Sequence, residues 1–205
     1  MTREQAIAAV KERSWLSEAR LRALWDSVNS VVDDGVPGAV VECGCATGGS
    51  AALLGLALRG RRPLYIFDGF QGLPEPSERD PDRAKAQRFV GHCRCSQEAV
   101  EAYLRGFGVE ATIVPGMYAD TLPAPEPRAV AVLHVDCDFH DAVLACLEAF
   151  YDRVSYCGRI HIDDYGHWAG CKAATDEFLA ARGLSQDDLI PIDATGVYFI
   201  KKDMI

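Results

Sequence analysis

One short apolar run constrains this chain more than any other feature. Ala129-Val130-Ala131-Val132-Leu133-His134-Val135 is almost wholly apolar and stops at Asp136-Cys137-Asp138. It is rich in β-branched residues and too short for an ordinary helix, so it reads as a strand. It does not alternate polar with apolar residues, which predicts burial on both faces. That is the position of a strand inside a parallel sheet covered by helices on both sides.

The rest of the chain fits such a sheet. Strand-like runs are expected from Ala39, over Pro63–Phe67, Ala111–Val114, Arg159–Ile162, Leu189–Ile192 and Val197–Ile200. Helical stretches lie between most of them. Leu16–Val32 carries Leu21, Leu24, Trp25 and Val28 at helical spacing. Ser50–Leu58 is apolar throughout, and Asp141–Asp152 and Cys171–Ala181 follow later. A further helical stretch is expected from about Asp82 to Arg105. Strand alternating with helix predicts an α/β fold, a mostly parallel seven-stranded sheet with helices on both faces. The last two strands, joined across Asp193-Ala194-Thr195-Gly196, form an antiparallel hairpin.

The chain has 205 residues, 49% hydrophobic and 25% charged. This suits one globular domain over 1–205, in which 1–35 is an N-terminal helical segment acting as a cap on the substrate side. A formal net charge of -9, with no basic stripe beyond Arg59-Gly60-Arg61-Arg62, argues against a nucleic-acid partner. No apolar run approaches the ~20 residues that span a bilayer. Met1–Arg13 is polar and helix-like, with no signal-peptide pattern, so the expectation is a cytoplasmic protein without a membrane partner. The eight cysteines include two C-x-C pairs, which lack common zinc spacing, and their number is not read as a disulfide framework.

Ligands of open α/β sheets bind at the carboxyl ends of the strands. After the first strand comes Glu42-Cys43-Gly44-Cys45-Ala46-Thr47-Gly48-Gly49-Ser50, a small-residue turn that lets backbone approach a ligand. Glu42 could bear on a cationic or hydroxyl-bearing group. The turn is neither G-x-G-x-x-G nor a phosphate loop. Asp68 closes the second strand, about two dozen residues after Gly44, where an acid can accept from ribose hydroxyls.

Asp136 and Asp138 follow the fourth strand, and Asp163 and Asp164 follow the fifth. Carboxylates from adjacent strands repel unless a cation neutralises them, and a hard ion such as Mg²⁺ prefers oxygen ligands. Such an ion can bind a hydroxyl and lower its pKa. Asp136 could serve as base while coordinating, with His140 and His167 as alternatives near the two acidic turns.

With these residues in view, the chain resembles the macrocin O-methyltransferase family, the TylF/MycF type, which methylates sugars of macrolide and other antibiotics. The resemblance spans Leu21 to Lys202. It rests on Val41-Glu42-Cys43-Gly44 with Gly48-Gly49-Ser50, and on Phe67-Asp68-Gly69-Phe70-Gln71-Gly72-Leu73-Pro74-Glu75-Pro76 with Asp80. Gly116-Met117-Tyr118-Ala119-Asp120-Thr121-Leu122-Pro123, His134-Val135-Asp136-Cys137-Asp138 and Ile162-Asp163-Asp164-Tyr165-Gly166 complete it.

The resemblance implies a Rossmann-like class I methyltransferase that uses S-adenosylmethionine and Mg²⁺ on a hydroxyl of a small, glycosylated molecule. It implies Asp136, Asp163 and Asp164 as metal ligands and Asp136 as base. It places Glu42 and Ser50 near the methionine part of the cofactor, Asp68 near the ribose, and Met117 and Tyr118 near the adenine, with Gly44, Gly69, Phe70 and Asp136 also around the cofactor. It also suggests a homodimer, and a loop from Gln71 to His92 covering the substrate. The chain departs from the family pattern at His140, Asp141 and Ala142-Val143, beside the acidic turn. A metal-dependent methyltransferase of a catechol or other phenol is the first alternative. A nicotinamide-dependent dehydrogenase and a non-enzymatic binding module are the others.

Overall fold

The computed structural model describes residues 1–123 and 126–202. Seven strands form one sheet: β1 (Ala39–Cys43), β2 (Leu64–Asp68), β3 (Thr112–Pro115), β4 (Val130–Val135), β5 (Val154–Ile162), β6 (Ile190–Pro191) and β7 (Val197–Ile200). Their order is β3-β2-β1-β4-β5-β7-β6. β1 to β5 pair in parallel, and β7 runs antiparallel to both β5 and β6. The expected mostly parallel sheet with an antiparallel ending is therefore present.

Helices cover both faces. On one side lie α1 (Arg3–Val10), α2 (Glu18–Asp33), α3 (Gly49–Leu58) and α5 (Gln97–Gly106), packed on Val40, Leu64, Ile66 and Val132. On the other lie α7 (His140–Phe150) and α8 (Ala169–Ala181), packed on Val41, Phe67, Leu133 and Ile160. Neighbours in one strand thus face opposite cores. Two short helices, α4 (Arg83–Ala86) and α6 (Tyr118–Thr121), lie in the connections. α3 is apolar all round because it is buried all round, between the sheet and α1 and α2. No helix among the described residues is long and apolar enough to cross a membrane.

The long helix expected over Asp82–Arg105 is broken into α4, a 3₁₀ turn at Gln87–Phe89, and α5. The chain between them passes through positive φ at Gly91 (77°) and Cys93 (63°), which no helix accommodates. β5 begins at Val154, five residues before the expected start, and α7 gives way to a 3₁₀ turn at Tyr151–Arg153.

The strand order reverses between β1 and β4. A crevice opens at such a point because the loops leaving the two strands turn to opposite faces. Gly44 makes this junction possible. Its φ is +90°, and a Cβ there would lie 1.8 Å from the carbonyl oxygen of Asp136.

Candidate active site

A cavity of about 610 Å³ sits over this crevice. Its wall includes Gly44, Ala46, Asp68, Gly69, Met117 and Tyr118. The same wall takes in Asp136, Asp138, Asp163 and Asp164, and the aromatic side chains Trp15, Phe89, His92 and Trp168. Six residues expected around the cofactor therefore line it: Gly44, Asp68, Gly69, Met117, Tyr118 and Asp136. Glu42, Ser50 and Phe70 lie outside its lining.

Asp68 already has work within the fold. Its Oδ2 accepts from Cys45 N at 2.7 Å and Ala46 N at 3.2 Å, and its Oδ1 accepts from Phe70 N at 2.6 Å. A carboxylate offers about four lone-pair sites, so roughly one remains for a ligand hydroxyl. The turn after β1 is thus shaped by the acid that closes β2.

The carboxylates divide into two groups. Asp136, Asp138 and Asp164 each bring an oxygen within 4.8 Å of the others. Burial, and then the repulsion of neighbouring carboxylates, pushes Asp136 and Asp164 well above the usual carboxylate range. Asp138 rises to about 7: burial raises it, while a hydrogen bond from Trp168 Nε1 to its Oδ1 at 2.9 Å works the other way. A hard cation would satisfy this all-oxygen set, so the residues fit the ion expected from the sequence.

Asp163, expected among the ligands, is directed elsewhere. Its Oδ2 accepts from Arg20 of α2, and its Oδ1 lies 3.7 Å from His134 Nε2. Asp163 lines the same cavity as Asp164 but lies outside the three-carboxylate cluster. Arg20 also donates from Nε to Asp193 at 3.1 Å, and Ser17 Oγ donates to the same oxygen at 2.5 Å. Burial works against the Asp193 carboxylate, but these donors and the amides of Gly196 and Thr195 hold it far below its usual range.

Glu42 belongs to this second network. The register places Glu42, His134 and His161 side by side across β1, β4 and β5, facing α2. His134 Nδ1 lies 3.0 Å from Glu42 Oε1, and both side chains are out of water. His161 Nε2 meets Ser27 Oγ of α2 at 2.9 Å. Burial opposes protonation of His134, yet the Asp163 and Glu42 carboxylates outweigh it and lift the imidazole to about 9. Among the described residues, Glu42 Oε2 and His134 Nε2 are the buried side-chain polar atoms left without a partner.

The two histidines also separate. His140 is 2% exposed and engages Asp141 at 3.1 Å and Glu177 at 3.2 Å, outside the cavity lining. His167 lines the cavity and packs edge-on against Trp168. Sequence reasoning counted Asp138 among the clustered carboxylates but not among the metal ligands, and gave Trp168 and Arg20 no role. The D-x-D spacing was the available signal for Asp138, which turns back into the cavity through a φ of +62° that Asp tolerates better than most residues. Nothing local marked Arg20, whose carboxylate partners lie more than 140 residues away.

Comparison with known proteins agrees with this geometry. The family model described as Macrocin-O-methyltransferase (TylF) matches residues 11–201. The demethyldecarbamoylnovobiocin O-methyltransferase of Streptomyces niveus is 33% identical over 88% of this chain and 72% of its own. The 8-demethyl-8-(2,3-dimethoxy-alpha-L-rhamnosyl)-tetracenomycin-C 4'-O-methyltransferase of Streptomyces olivaceus is 31% identical over 91% and 77%. The solved O-methyltransferase NovP superposes with a TM-score of 0.84 at 32% identity, covering 91% of this chain and 81% of that one.

Proposed function

The chain belongs to the macrocin O-methyltransferase family and is an S-adenosylmethionine-dependent O-methyltransferase, and we propose that its acceptor is a sugar hydroxyl of a glycosylated natural product, held beside a divalent cation such as Mg²⁺. One observation carries this reading: carboxylates from the turns after β4 and β5 converge in a cavity that Gly44, Asp68, Met117 and Tyr118 also line. The sugar is favoured by the rhamnosyl acceptor in the name of one relative.

In this reading Asp136 and Asp164 hold the cation. A cation held there would lower the pKa of the acceptor hydroxyl, and S-adenosylmethionine would supply the methyl group. Asp138 takes the hydroxyl proton. The indole of Trp168 holds Asp138 Oδ1, which leaves Oδ2 for the proton. Asp163 stays with Arg20 and ties the second acidic turn to α2.

Asp68 Oδ1 accepts from one ribose hydroxyl, and Met117 and Tyr118 flank the adenine. Residues 1–35 form part of the acceptor wall through Trp15 and Arg20.

The wall of Trp15, Phe89 and Trp168 favours a second reading, a phenolic acceptor, since flat rings stack well on aromatic faces. A panel of glycosides and catechols, assayed with S-adenosylmethionine with and without a chelator, separates the two. Turnover of glycosides alone, lost on chelation and restored by Mg²⁺, is the expected result. Turnover that ignores the chelator refutes the cation.

A further inference from the structure

α7 and α8 both start without a cap of their own. Their N-cap residues are Phe139 and Trp168, neither of which makes a side-chain cap hydrogen bond. Helix starts expose amide N–H groups that usually call for Ser, Thr, Asp or Asn at that position. Here one distant loop serves both helices. Asp80 Oδ1 accepts from His140 N at 2.8 Å, and Asp82 Oδ2 accepts from Ala169 N at 3.2 Å.

Both oxygens of the Asp80 carboxylate are engaged. Its Oδ2 accepts from Ser77 N at 2.8 Å, and the residue is 3% exposed. α8 seats directly on it: a Cβ on Gly170 would lie 1.8 Å from Asp80 Oδ1. The same loop is fastened again by Arg79 to Glu177 at 2.5 Å and by Lys85 Nζ to the carbonyl of His167 at 3.0 Å.

The two capped helices follow the two acidic turns. Asp136-Cys137-Asp138 leads straight into Phe139, and Asp163-Asp164 leads through Tyr165-Gly166-His167 into Trp168. The geometry points to Asp80 and Asp82 as positioning residues for methyl transfer. By capping α7 and α8 from outside, they fix the spacing of the turns that carry Asp136, Asp138 and Asp164. This rests on the cation reading above and adds residues that touch neither cofactor nor acceptor. It also gives the loop two tasks, because Leu73, Glu75, Phe89 and His92 of the same segment line the cavity.

The test measures Mn²⁺ affinity and S-adenosylhomocysteine affinity by calorimetry on wild type, Asp80→Ala, Asp80→Asn and Asp82→Ala, with thermal melts as a control for folding. Asp80→Ala is expected to weaken Mn²⁺ binding about 10- to 100-fold, the range seen when support behind metal ligands is removed. S-adenosylhomocysteine affinity should stay as in wild type. Asp80→Asn keeps an acceptor oxygen for His140 N but sets its NH2 against Ser77 N, so it should recover part of the loss. If Asp80→Ala does not fold, Asp82→Ala, which removes one longer bond, gives the same contrast on a smaller scale. Equal loss of both affinities, or no loss of either, overturns the positioning role while leaving the cation reading intact. A wild-type protein that binds no Mn²⁺ overturns both.

Discussion

Trp168 Nε1 donates to Asp138 Oδ1 at 2.9 Å, joining the start of α8 to the acidic turn after β4. This hydrogen bond favours the charged carboxylate and partly offsets the burial that lifts Asp138 to about 7. Trp168→Phe keeps the ring and removes the donor. The rising limb of kcat/KM against pH should then move up by about one unit, the scale of one hydrogen bond to a charged group. A wild-type limb centred at or below pH 7 that does not move in Trp168→Phe contradicts the assignment of Asp138 as base.

Glu42 and His134 make a buried pair whose members depend on each other. Removing one partner from a buried ion pair typically costs about 3–5 kcal/mol, while replacing both with apolar residues is often neutral. Glu42→Leu should therefore lose stability in urea by that amount. Glu42→Leu combined with His134→Leu should regain much of it. Losses that simply add would mean the pair is not coupled.

Stability without divalent salts should fall as pH rises from about 7 to 8.5, above the range in which His161 and His167, whose pKa values burial lowers, act with the opposite sign. Asp136, Asp138 and Asp164 have raised folded pKa values, so the fold binds more protons than the unfolded chain above ~4, and stability declines as pH climbs. His134 acts with the same sign. Its contribution is full below its unfolded pKa of ~6.5 and is lost as pH rises through about 9. Melting temperatures measured in chelator across this window test the prediction, and saturating Mg²⁺ should flatten the curve. A melting temperature that rises with pH in chelator contradicts it.

Trp15 is 73% exposed at the cavity wall, an unusual place for a large aromatic side chain. If it stacks on the acceptor, Trp15→Ala should raise the acceptor KM roughly 3- to 10-fold, the worth of one ring contact. The KM for S-adenosylmethionine should not change. Equal effects on both constants would place Trp15 outside the acceptor subsite.

Much of the scaffold was legible from local pattern. The apolar run of β4, the all-apolar α3 and the turn composition after β6 each carry their own periodicity, and the acids at the strand ends followed from them. What was not legible depends on direction or distance. Asp163-Asp164 is one dipeptide in sequence, but the end of β5 sends its side chains to different partners, and Arg20 decides which. Glu42 stands at the strand end where a ligand contact was expected. Alternation along β1 turns it to the α2 face, where the register supplies His134. The break before α5 was only half signalled, because Gly91 marks it and Cys93 does not.

The most direct test of the central claim is anomalous diffraction from crystals soaked with Mn²⁺ and S-adenosylhomocysteine. The account predicts one strong Mn²⁺ peak, ligated by Asp136 and Asp164, beside the sulfur of the cofactor product. A peak that avoids those two carboxylates, or its absence from a cavity that holds S-adenosylhomocysteine, would contradict it.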